Sequence, residues 1–194
     1  EIAQVEWVAG RALASSGKDR DAYSHFEASL VSARSAGDRR RECHALIDMA
    51  FRDNHAGRVE IARIHGAAAL AMANELSDWN LESRTQNVLG NMEEMQGRLN
   101  EAEAHYKIAL ELARKAGDKD LEGSILGNLG NVLGSHGNVE ESRLHMEAAL
   151  AVARETGNRR LEGNTLCNLG LHHQVAGRFD EALGQLVASL KVAR

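Results

Sequence analysis

The stretch Gly127-Asn128-Leu129-Gly130-Asn131 decides the fold, because Leu129-Gly130-Asn131 has a counterpart, Leu89-Gly90-Asn91, forty residues earlier. Steps of forty from Gly130 land on Gly10, Ala50, Gly90 and Gly170, small residues throughout. Gly17, Gly57, Gly97, Gly137 and Gly177 form a stricter series at the same interval. Leu30, Leu70, Leu110, Leu150 and Leu190 form another, and Ala33, Ala73, Ala113, Ala153 and Ala193 a fourth. A fixed interval of this length marks a repeat architecture, in which each unit packs mainly on its neighbours.

Each interval reads as two helices. In the fourth, Asp118 is the expected N-cap, and Leu121, Ile125, Leu126, Leu129, Val132 and Leu133 recur at three- and four-residue steps along one helical face. Gly137 ends that helix, since glycine takes the left-handed closing conformation without a Cβ penalty. A second helix follows from about Val139, with Leu144, Met146, Ala149, Leu150, Val152 and Ala153 on its buried side, and Gly157-Asn158 stops it. The same reading places first helices near 2–16, 39–56, 79–96, 119–136 and 159–176. Second helices fall near 19–36, 59–76, 99–116, 139–156 and 179–193. Turns this short force antiparallel neighbours. The expected fold is all-α, five antiparallel helix hairpins in a single array over 1–194, with repeats at about 1–37, 38–77, 78–117, 118–157 and 158–194.

Composition agrees with long helices: proline is absent and aromatics make up 4% of 194 residues. A net charge of −5 gives no reason to expect nucleic acid, which needs a basic face. The run Arg39-Arg40-Arg41 reads as a solvated helix start. No stretch approaches the roughly 18 apolar residues of a membrane span, and no signal peptide opens the chain. Cys43 and Cys167 fall in the second and fifth repeats, too far apart to bridge, so a reduced, cytoplasmic protein is expected. The chain begins at Glu1 and ends at Arg194 inside an amphipathic pattern, and it reads as a piece of something longer.

Four-stranded propeller blades cannot accommodate this helical periodicity. Leu89-Gly90 is followed by Ala102, Tyr106 and Ala109, and Leu129-Gly130 by Ser142, Met146 and Ala149. Leu169-Gly170 is followed by Ala182, Leu186 and Ser189, and Gly10 by Ala22, Phe26 and Ser29. This leucine-glycine, then small-large-small pattern resembles the tetratricopeptide repeat. The forty-residue subclass is the nearest likeness, with Leu-Gly-Asn-repeat spindle-orientation adaptors, kinesin light chains and bacterial regulators among its members. The second repeat departs most, with Met49-Ala50 and with Gly66 at the large position, and is expected to pack more loosely. The resemblance implies a right-handed α-α superhelix whose first helices form a concave surface that binds a protein or peptide, as the sensing or interaction part of a regulatory protein.

Mapped onto this sequence, the family's groove positions are Arg84, Asn87, Asn91 and Glu94 in the third repeat. In the fourth they are Ser124, Gly127, Asn131, Gly134 and Ser135, with Asn128 at the margin. In the fifth they are Asn164, Cys167, Leu171 and Gln174, with Asn168 at the margin. An amide carries donors and an acceptor, so such a ladder either reads a peptide backbone or bonds across neighbouring helices. Lysines of a carboxylate clamp are missing from these positions. Gly123, Gly127, Gly130 and Gly134 forfeit together about 3–4 kcal/mol of helix propensity. Gly130 is expected to serve hairpin packing, and Gly127 and Gly134 either admit a ligand or make the helix pliable.

His25, His65, His105 and His145 share one site in successive second helices, a spacing that suits packing and not metal ligation. No nucleophile-base pairing, metal site or cofactor motif is legible, so no enzyme is expected. The last helix carries Leu183, Leu186, Val187 and Leu190 with nothing after it, which points to a covering domain or a homodimer through terminal helices. The alternative role is a self-associating or linker segment whose groove is filled by its own chain.

Overall fold

The computed structural model describes residues 1–192 and contains ten helices and no strand among them. They are α1 Ile2–Ser15, α2 Asp19–Ala36, α3 Arg39–His55, α4 Val59–Leu76 and α5 Trp79–Met95. There follow α6 Leu99–Ala116, α7 Lys119–Ser135, α8 Val139–Thr156, α9 Arg159–Val175 and α10 Phe179–Val192. Expected boundaries hold within a residue for the described part; Ala193 lies outside the described residues.

The local signals act as the sequence suggests. Asp38, Asp118 and Asn158 each accept a hydrogen bond from the backbone N–H three residues on, Asp118 from Leu121 at 2.9 Å. Such a cap is worth about 1 kcal/mol. The hairpins turn at the glycine series, with φ between 73° and 84° from Gly17 to Gly177. Gly37, Gly117 and Gly157 close the second helices in the same left-handed way, whereas the second repeat uses Ser77 there, at φ 52°.

The chain forms two compact units, Glu1–Met92 and Glu93–Arg194, with α5 running from one into the other. In the first, α1 pairs with α2 and α3 with α4, around Phe26, Leu46, Met49, Leu81 and Met92. In the second, α7 pairs with α8 and α9 with α10. Tyr106, Ile125, Leu129 and Leu133 form one of its cores, and Met146, Leu150, Leu166 and Leu169 another. First helices also touch directly, α1 with α3 and α7 with α9.

The small-large pairing has a steric basis. A Cβ on Gly10 would stand 2.7 Å from the Phe26 ring and 3.1 Å from the Ala22 carbonyl oxygen. On Gly130 it would meet Met146 at 2.8 Å and the Ser142 carbonyl at 3.2 Å, and on Gly170 it would meet Leu186 at 2.8 Å. The looser packing expected at Gly66 is offset, because Leu89 Cδ2 occupies that space, 3.0 Å from the Cβ position. Buried hydroxyls are satisfied by carbonyls: Ser142 donates to Gly130 O at 2.6 Å and Ser29 to Ala3 O at 2.8 Å.

The arginine run is neutralised by acids. Arg39 pairs with Glu42 and Glu75, Arg40 with Asp78, and Arg41 with Asp38. The repeated histidines are all half-buried, and two donate to carboxylates: His25 to Glu6 at 2.6 Å, His65 to Asp53 at 2.8 Å. Cys43 and Cys167 are free thiols. No described helix is long and apolar enough to cross a membrane.

Candidate functional site

Helix α7 sorts its own glycines. A Cβ on Gly123 would lie 2.7 Å from Leu161 and 2.9 Å from Val152, so Gly123 and Gly130 both permit close packing. Gly127 has nothing within 4 Å of that position and faces open space. Gly134 lies between: its Cβ position is 3.1 Å from Ser142 Oγ and 3.3 Å from His172 Nε2. The lack of a side chain at Gly134 lets His172 of α9 approach α7.

Beside it lies a pocket of about 370 Å³. Its polar walls are Asn131, Ser135, Asn168 and His172, and its apolar walls Val139, Met146, Leu171 and Val175, with Gly134 and Ala176. None of these carries a fixed charge, and burial, followed by the influence of His173 and Arg178, lowers the His172 pKa, favouring its neutral form. Asn168 Nδ2 donates to Asn131 Oδ1 at 3.1 Å across α7 and α9. That bond leaves both N–H donors of the Asn131 amide, and the carbonyl oxygen and one N–H donor of the Asn168 amide, with no other partner among the described residues. Such a pair matches the N–H and C=O of one peptide residue.

Of the expected groove residues, the pocket unites Asn131, Gly134 and Asn168, with Ser135 and Leu171. Asn164 and Gln174 are exposed on α9 outside its lining, and Asn128 is half-buried on α7. The Ser124 hydroxyl turns back to the Asp120 carbonyl at 2.9 Å. On α5, Asn91 Nδ2 donates to the Asn87 carbonyl at 3.0 Å within its own helix. Glu94 accepts from the buried Tyr106 hydroxyl at 2.6 Å, and burial raises its pKa. Glu94 of α5 therefore anchors a core tyrosine of α6. His172, Val139 and Val175 were not among the expected residues: they lie at the hairpin-turn end of the pocket, which a stripe along first helices does not reach.

The first unit carries a second cluster on the same helical stripe. Trp7 of α1 donates to Asp48 of α3 at 2.7 Å, and its ring lies 4.9 Å from that of His44. The Arg11 guanidinium sits 5.1 Å over the Trp7 ring. Burial, then Arg84 and Arg40, push the His44 pKa down to about 4; burial raises that of Asp48 against Arg84, Trp7 and Arg11. Carrying the stripe back from Arg84 and Asn91 by whole repeats lands on His44 and Arg11, so a signal for this cluster was present in the sequence.

The tetratricopeptide repeat model matches residues 45–115, 81–155 and 121–194, and the chain belongs to that family. Its fold is in general a scaffold for protein interactions. No curated protein matches the sequence. A Rap protein complexed with competence and sporulation factor is similar over 97% of this chain, with a TM-score of 0.88 and 16% identity. Aspartyl phosphate phosphatase F from Bacillus subtilis gives 0.78 and 15% over 97% of the chain. A STAND protein with a tetratricopeptide repeat sensor from Pyrococcus horikoshii gives 0.78 and 17% over 98%. At these identities the likeness shows the fold. The chain spans 53%, 49% and 29% of those proteins' respective lengths.

Proposed function

We propose that the chain is a protein- or peptide-binding module, the sensing or interaction part of a larger cytoplasmic regulatory protein, and that it holds an extended peptide at the α7–α9 pocket. The observation that carries this reading is the Asn131–Asn168 pair beside an uncharged pocket of about 370 Å³. Sites of this kind combine apolar walls with a few placed polar groups. The structural neighbours support a regulatory sensing role, since one is a Rap protein complexed with competence and sporulation factor and another a signal transduction ATPase with a tetratricopeptide repeat sensor. The reading assigns no catalysis to these residues.

Selection from a displayed random-peptide library against this chain, followed by calorimetric titration of the best peptide, tests it. Asn131→Ala and Asn168→Ala are expected to weaken binding by about 0.5–1.5 kcal/mol for each neutral hydrogen bond lost. Gly127→Leu fills open space on the same face of α7 and is expected to weaken it further. Selected peptides that ignore all three changes would refute the reading. So would an Asn131→Ala protein that melts early while its folded fraction binds normally, because the amides would then be interhelix struts.

A second reading is self-association. It is favoured by Phe179, Leu183 and Leu190 of α10, which are 69%, 63% and 66% exposed. Light scattering of wild type and Leu183→Glu decides it: only a self-associating protein loses mass on that change.

A further inference from the structure

The fifth hairpin departs from the others at its turn, where His173 and Arg178 stand outside the lining of the α7–α9 pocket. The backbone is the same at each turn: the N–H of Arg58 meets the carbonyl of Asp53 at 2.8 Å, Arg98 meets Glu93 at 2.9 Å, Asn138 meets Leu133 at 2.9 Å and Arg178 meets His173 at 2.8 Å. The side chains differ. In the second repeat Arg58 Nε donates to the Asp53 carboxylate at 2.7 Å, and in the third Arg98 Nε donates to Glu93. The fourth has neither acid nor arginine, with Leu133 and Asn138 in their places. The fifth keeps the arginine and replaces the acid with a histidine. There Arg178 Nε and His173 Nδ1 are both buried, and neither has a hydrogen-bond partner among the described residues.

The acids around this turn do not satisfy it. Glu140 of α8 lies within the electrostatic reach of Arg178 but is bonded to Arg143, which also holds Glu147 at 2.6 Å. Asp180 and Glu181 follow Arg178 in sequence and are exposed to solvent. Gln185 of α10 is half-buried and stands in the phase of His65, which bonds Asp53 in the second repeat. A buried guanidinium Nε without an acceptor costs free energy that an arriving acceptor recovers. A carboxylate offers acceptors alone and suits both an arginine edge and a histidine N–H. Because the two nitrogens are shut off from solvent, a phosphodiester backbone or a peptide surface does not reach them, and only a small anion does. We propose that the α9–α10 turn binds one small free carboxylate, of acetate size, whose oxygens accept from Arg178 Nε and from His173 Nδ1 in its protonated tautomer. The ligand takes the part that Asp53 and Glu93 play in the second and third turns. Arg178 is half-buried, and a change of its rotamer opens the way in.

Sodium acetate is the probe, titrated at constant ionic strength and read by NMR from the Arg178 Nε–H and His173 imidazole signals. Both signals are expected to move together, with half-saturation on the order of 1–10 mM, as two charge-assisted hydrogen bonds to a small ligand imply. Sodium chloride over the same range should leave them in place. Arg178→Gln should raise the half-saturation read at His173 about tenfold or more. His173→Asp rebuilds the pairing of the second repeat inside the chain. That variant should raise the urea midpoint measured without acetate and should no longer respond to acetate. Asn131→Ala, in the α7–α9 pocket, should leave the acetate response unchanged, so this site and the peptide reading fail separately. No movement of the two signals with acetate, equal movement with chloride, or an undiminished response in Arg178→Gln would each overturn the proposal. So would an acetate response that survives His173→Asp or is lost on Asn131→Ala.

Discussion

The α3–α4 and α7–α8 hairpins occupy the same phase of the repeat eighty residues apart, yet they solve the same packing problem with different chemistry. At the hairpin turn the first uses Asp53, whose fully buried carboxylate accepts from Tyr23 at 3.2 Å, Arg58 at 2.7 Å and His65 at 2.8 Å. The second places Leu133 there, in an apolar core, with Asn138 where the arginine stands. On the first-helix face the contrast repeats. His44, Asp48 and Phe51 correspond to Ser124, Asn128 and Asn131, so one hairpin presents charge and aromatic rings and the other amides and glycine. The repeat interval dictates backbone geometry and the small-large contacts, while positions outside those contacts diverge freely.

The strongest way to break this comparison is at the turn. Asp53→Ala leaves the Tyr23 hydroxyl and His65 without their acceptor and is expected to cost about 3–5 kcal/mol in urea unfolding. Asp53→Leu with Arg58→Asn and Tyr23→Phe brings the turn close to the α7–α8 solution and should recover part of that loss, since an apolar replacement of a buried ion pair is often nearly neutral while His65 still lacks its acceptor. If the combined variant is no better than Asp53→Ala, the two turns are not interchangeable.

Acid should separate the hairpins next. His44 is held down to about 4, chiefly by burial, whereas its counterpart Ser124 does not titrate. A depressed histidine supplies stability that is complete above its unfolded pKa and is lost as pH falls from about 6.5 through about 4. The loss is of the order of 3 kcal/mol at 1.36 kcal/mol per unit. Asp48, raised by burial, acts in the opposite sense, so the difference between wild type and His44→Gln across this window isolates the histidine. Proton NMR should place the His44 midpoint near 4.

Within α7, Gly130→Ala forces Met146 and the Ser142 backbone apart and is expected to destabilise by about 1–3 kcal/mol. Gly127→Ala, with open space around it, should instead stabilise by about 0.8–1 kcal/mol through helix propensity. Thermal melts of the pair give opposite signs if the glycines are sorted as described. An effect as small is expected at Ser77, the non-glycine residue in a left-handed closing position among the described residues. Ser77→Gly should gain roughly 1 kcal/mol, bringing the α4 end level with the glycine-closed ends of α2 and α8.

Much of this molecule was legible from one interval. Gly17 through Gly177, Asp118 and the pairing of Gly130 with Ser142 and Met146 act locally or between sequence-adjacent helices, so their roles follow from spacing. The candidate site was legible in part. Asn131, Gly134 and Asn168 were found on the helical stripe, but their mutual bond was not, nor was the partnership of Glu94 with Tyr106. Stepping the stripe back to the first two repeats would have reached His44, Asp48 and Arg11.

The sequence by itself determined the helices, their ends, the antiparallel hairpins and the family, because each depends on residues within one forty-residue interval or on its repetition. Tertiary structure decided which polar groups find partners. Asn131 meets Asn168 and Asp48 meets Trp7 across helices 37 and 41 residues apart in sequence, at distances that side-chain rotamers and neighbouring volumes set together. A helix stripe states which side chains share a face. Only the packed neighbours determine whether an amide on that face is spent on another helix or left open to a ligand.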